Sequence, residues 1–161
     1  FAIQFLQKRQ GEKGYLLVIE GARIDHANHF KNPYLALSDT VAFSDAVRKA
    51  LGLVDLADTL ILVTADHSSA LAFTGYPERS MPVLASLSYP SLTLLGGEGF
   101  QTGHLEAARN TEKQAFNPNQ QPAPHAGEDV PAYAIGHGSN SIRSTMEQNT
   151  LFDVINAAIK N

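Results

Sequence analysis

Tyr15-Leu16-Leu17-Val18-Ile19-Glu20-Gly21 is the stretch whose reading decides the fold. Five consecutive apolar residues, the last two β-branched, lack the alternation of a strand with one wet face. They predict a strand buried on both sides, as in a parallel sheet covered by helices. Thr59-Leu60-Ile61-Leu62-Val63-Thr64 repeats the pattern and stops at Ala65-Asp66-His67. Between the two runs, Phe43, Ala46, Val47, Ala50, Leu51 and Val54 recur at the spacing of one helical face. Strand, helix and strand in this order predict a βαβ unit with a right-handed crossover. The expected class is α/β, a largely parallel sheet flanked by helices.

Working outward, Ala2, Phe5, Leu6 and Arg9 fall at helical spacing before the turn residues Gly11 and Gly14. Residues 70–124 change character. Six prolines (77, 82, 90, 118, 122, 124) and repeated glycines break any long period, leaving short β-prone pieces at Met81 to Leu87 and Ser91 to Leu95. Val130 to Ile135 is a further strand, which Pro131 assigns to an edge or a strand start. Leu151, Phe152, Ile155, Ala158 and Ile159 form a closing helical stripe. The expected organisation is a βαβ core segment over 1–69, a β-rich insertion over 70–124 and a returning core segment over 125–161.

With 161 residues, 43% of them hydrophobic, the chain can bury a core. A net charge of −4, from 12 Lys and Arg against 16 Asp and Glu, offers no basic footprint for nucleic acid. No apolar run is long enough to span a bilayer as a helix, and nothing resembles a signal peptide. The opening Phe1-Ala2-Ile3 has no initiator Met and is expected of a segment of a longer chain. The absence of cysteine excludes thiolate metal sites, so a metal ion would be held by His, Asp or Glu.

Such residues gather at three places, each at the mouth of a predicted strand, where open α/β sheets bind ligands. In Glu20-Gly21-Ala22-Arg23-Ile24-Asp25-His26-Ala27-Asn28-His29, a helical turn would set Asp25 and His29 at i and i+4 on one face, with Glu20 at the strand end. Asp66 and His67 can share a site only if their strand has already ended in a loop. His125 opens His125-Ala126-Gly127-Glu128-Asp129-Val130. Together Asp25, His29, Asp66, His67 and His125 suffice for two transition-metal ions, and Glu20 suits a harder cation such as Mg²⁺. Paired divalent ions clamp the attacking and leaving oxygens of a phosphoryl displacement, so phosphate-ester hydrolysis is the reaction class these ligands suggest.

These three strings, in residue type, order and spacing, resemble the alkaline phosphatase family, and the likeness runs on through Glu147-Gln148-Asn149. The resemblance implies that Asp25, His29 and His125 hold one zinc ion, that Asp66 and His67 contribute to a second zinc site, and that Glu20 serves magnesium. It also implies that residues 70–124 form a crown-like lobe, and that the parent protein is a homodimeric, periplasmic or secreted enzyme acting on phosphate monoesters. The family's nucleophile is a Ser in an Asp-Ser-Ala context, and no such tripeptide occurs here. The nucleophile and the remaining ligands are therefore expected in a missing N-terminal half of a partial domain, leaving this chain inactive alone. Where many members carry a second His two residues after the T-A-D-H His, this chain has Ser69, which alters a partner behind the metal ligands.

Other tempting residues are set aside. Ser68 and Ser69 beside His67 make a poor nucleophile and base, because a metal-bound His has no free lone pair. His26, His104 and His137 read as surface residues, and Glu128 and Asp129 as solvated turn carboxylates. Gly96-Gly97-Glu98-Gly99 lacks the Lys and the strand-loop-helix setting of a phosphate loop. Two alternatives to the phosphatase reading are a related phosphodiesterase or sulfatase, and a non-catalytic fragment that binds metal or self-associates.

Overall fold

The computed structural model describes residues 1–9, 11, 14–30, 32–69, 71–73, 92–94 and 122–160. Helix and short strand segments are mixed along the chain: α1 (Ala2–Gln7), α2 (Arg23–His29), α3 (Pro33–Leu51), β1 (Leu60–Val63), β2 (Ser68–Ser69), β3 (Leu71–Phe73), β4 (Leu92–Leu94), β5 (His125–Ala126), β6 (Tyr133–Gly136) and α4 (Thr150–Lys160). They fall into two compact units. The first comprises Phe1–Glu20, Phe43–Asp66 and Val130–Asn161, and the second Gly21–Ala42 and His67–Asp129.

In the first unit β1 pairs antiparallel with β6, from Leu60 opposite Gly136 to Val63 opposite Tyr133. The turn after β6 depends on Gly136, whose φ of +93° is reached cheaply only by glycine. A methyl group there would also overlap the Thr59 carbonyl oxygen, which accepts the His137 N–H at 3.1 Å. Gly136→Ala is expected to destabilise the fold by about 2–3 kcal/mol, read as a lower urea midpoint with the slope unchanged. The strand expected from Val130 begins only at Tyr133, so Pro131 lies before it and takes no place in its ladder; its carbonyl accepts the Thr64 hydroxyl at 3.3 Å.

The expected buried strand at Tyr15–Ile19 is a correction. This segment has no ladder partner among the described residues, and Leu16, Val18 and Ile19 are 60%, 81% and 56% exposed. The parallel pairing inferred from the strand, helix, strand order is likewise not made there: every described pairing is antiparallel.

Helix α3 begins ten residues before the expected stripe. Asn32 caps it, its Oδ1 accepting the Leu35 N–H at 3.0 Å, and Pro33 occupies the first turn, where its missing N–H costs nothing. The closing helix α4 turns Val154 inward as its buried residue, while Phe152 and Ile159 from the expected stripe are exposed. Within the second unit β2 pairs with β5 and β3 with β4. The β4 segment falls inside the expected Ser91 to Leu95 strand. The expected strand from Met81 to Leu87 lies outside the described residues, as does most of the 70–124 insertion.

Candidate metal centre

The second unit concentrates its burial around one short helix. Ala27, Asn28, Asn32, Ala36 and Ala123 are each under one-tenth exposed. Helix α2 places Asp25 in its first turn and His29 in its last, the ends where the helix dipole favours a carboxylate and an imidazole respectively. The i, i+4 spacing stacks the two side chains on one face, with His29 Nε2 3.1 Å from Asp25 Oδ2.

His125 arrives from the far side of the sequence on β5, paired with Ser69 of β2. Its Nε2 lies 3.1 Å from His29 Nε2 and 3.5 Å from Asp25 Oδ1. The His67 ring stacks on the His125 ring with centroids 3.5 Å apart. Asp25, His29 and His125 thus each offer one ligand atom, all within 4.8 Å of one another.

The chemistry of this donor set can be tested by distance. Around a tetrahedral zinc ion with bonds of about 2.0–2.1 Å, neighbouring ligand atoms lie about 3.3 Å apart. The two imidazole Nε2 atoms, 3.1 Å apart, lie close to that value, and each has an Asp25 oxygen nearby, Oδ2 at 3.1 Å from His29 and Oδ1 at 3.5 Å from His125. His29 Nδ1 is 2.6 Å from the Ala123 carbonyl oxygen. A carbonyl only accepts, so Nδ1 carries a proton, and Nε2 is the ring nitrogen turned toward the cluster. Asp25 Oδ1 is shielded from solvent and accepts no hydrogen bond. An acceptor oxygen without a donor, facing imidazole nitrogens at this spacing, is the arrangement a divalent cation would satisfy.

The other sequence candidates separate clearly. His67 joins the cluster through its ring stack. Glu20 and Asp66 are both exposed and belong to the first unit. His26, Glu128 and Asp129 are exposed, as expected, and His104 lies outside the described residues. The Ser68 hydroxyl is directed at the Ser69 carbonyl, 3.5 Å away, while His67 Nδ1 meets the Ser68 carbonyl at 3.1 Å. Sequence reading missed Ala123, whose contribution is a backbone carbonyl that residue type does not announce. It also missed Asn32, although an Asn-Pro pair opening a helix was a readable signal.

Comparison with known proteins agrees with this chemistry. The family model described as alkaline phosphatase matches residues 1–161. Alkaline phosphatase 4 of Drosophila melanogaster is 30% identical over 98% of the chain. The tissue-nonspecific alkaline phosphatase isozymes of Gallus gallus and Homo sapiens are 34% and 32% identical over 92% of it. The chain spans 31% of the length of each of these relatives. With the motifs, the converging ligand atoms and a match along its entire length in agreement, the chain belongs to the alkaline phosphatase family.

Proposed function

We propose that the whole protein hydrolyses phosphate monoesters with two zinc ions and one magnesium ion. Asp25, His29 and His125 hold the first zinc, Asp66 and His67 contribute to the second, and Glu20 serves magnesium. The nucleophilic Ser and the remaining ligands lie in sequence beyond these residues. Residues 1–69 and 125–161 then belong to one α/β core, and 70–124 to a crown-like lobe. A homodimeric, periplasmic or secreted parent is part of the same reading, supported by family membership.

The observation that carries the proposal is the meeting of two imidazole Nε2 atoms and one carboxylate, with one ligand atom from each within 4.8 Å of the others. When bound, divalent ions supply charge stabilisation to the phosphoryl oxygens and lower the pKa of a bound water. This chain's residues prepare that chemistry. Asp25 provides the negative charge, and the Ala123 carbonyl keeps the His29 proton on the nitrogen away from the cluster. His125, half exposed, leaves one side of the cluster open to solvent and hence to an ester.

The test is metal content. After dialysis against zinc, elemental analysis of the folded chain is expected to find one ion per chain. A folded chain with almost no zinc would overturn the assignment of Asp25, His29 and His125 as a site formed by this chain alone. A second reading, a metal-binding fragment that self-associates, is favoured by the exposed apolar residues Leu16, Val18 and Ile19. Light scattering with and without zinc separates the two.

A further inference from the structure

The tripeptide before the third ligand, Pro122-Ala123-Pro124, has a physical character of its own. Each proline ring sets φ near −65° and removes a backbone N–H. Standing before a proline, Ala123 is restricted to extended conformations. Three residues therefore hold a narrow shape and offer a single N–H, that of Ala123.

That N–H is spent on one acceptor. Ala123 N–H donates to the His29 carbonyl at 3.0 Å. His29 ends α2, so its carbonyl is one of those left without an intrahelical donor. In return, His29 Nδ1–H donates to the Ala123 carbonyl at 2.6 Å. Ala123 is 2% exposed, so water does not compete for either bond. Two residues further on, across the rigid Pro124, the His125 Nε2 meets the His29 Nε2 at 3.1 Å.

We propose that Pro122-Ala123-Pro124 is a positioning element for the metal centre, a strut that clasps His29 through its Nδ1–H and delivers His125 before any ion binds. The inference rests on the reading of Asp25, His29 and His125 as metal ligands. It adds that their affinity depends on a segment that supplies no ligand atom. A prolyl strut has little conformational freedom to lose, so the two imidazoles are already paired when the ion arrives.

Two measurements on the 161-residue chain test it. Long-range ¹H–¹⁵N correlation spectra of the imidazoles in the metal-free protein are expected to show His29 protonated at Nδ1. A bare Nδ1 would overturn the clasp without any variant being made. Zinc affinity, by competition with a chromogenic chelator, is expected to fall about 10–100-fold in Pro122→Ala/Pro124→Ala, the usual effect of losing support behind a ligand. His29 Nδ1 should then be partly bare. Pro131→Ala, in the first unit, should leave zinc affinity unchanged and controls for the general effect of losing a proline. Equal zinc affinity in the double variant and the wild type would overturn the strut. Absence of zinc binding in the wild type would instead overturn the metal reading, and the imidazole spectrum would still decide the clasp.

Discussion

Replacing His29 by Ala is expected to abolish zinc binding by this chain, and His125→Ala to do the same. Each change removes one of three proposed ligand atoms that lie within 4.8 Å of one another. Losing a group that merely supports a ligand costs about 10–100-fold in metal affinity, and losing the ligand itself costs more. The His29 change carries a second penalty, because it leaves the Ala123 carbonyl without its Nδ1–H donor. His29→Ala should therefore also lower the stability of the metal-free chain, by about 1–3 kcal/mol, whereas the more exposed His125 should cost less. Elemental analysis after zinc dialysis checks the first effect, and urea melts of the metal-free variants check the second. Wild-type zinc content in either variant would remove that residue from the site.

The second large effect is an absence of catalysis. Given a chromogenic phosphate monoester with zinc and magnesium added, this chain is expected to show no sustained turnover above the free-metal background. Rate enhancements of roughly 10⁶-fold or more need a positioned nucleophile as well as charge stabilisation. No Asp-Ser-Ala tripeptide occurs in these 161 residues, and the Ser68 hydroxyl is directed at the Ser69 carbonyl. Sustained turnover that disappears in His125→Ala would show that the ligands of this chain suffice for hydrolysis without that nucleophile.

Local patterns were legible wherever a short-range rule decides the outcome. The i, i+4 relation of Asp25 and His29 follows from helical period alone, and α2 forms over both. The apolar run at Leu60–Val63 becomes a strand, and the β4 segment falls inside its expected stretch. Phase was harder. The stripe read for α4 included Phe152, yet Val154 is the buried residue, because several rotations of an apolar helix satisfy the same composition and only the packed neighbours choose among them. The run at Tyr15–Ile19 looked like a buried strand because its composition is that of one. Composition does not supply the adjacent strand that would cover it.

By itself the sequence determined which side chains can hold a metal ion, the helical face shared by Asp25 and His29, the family, and the lack of thiolate ligands. Those follow from residue type and from spacing over one or two turns. The tertiary structure alone decided that His125, 96 residues from His29, completes the trio, that His67 stacks on it, and that β1 pairs antiparallel with β6. It alone revealed the Ala123 carbonyl that accepts the His29 Nδ1–H. The physical reason is common to these features. Each joins atoms from distant parts of the chain, and in the strand pairing and the Ala123 bond the deciding groups are backbone N–H and C=O, which almost every residue carries and no sequence pattern marks.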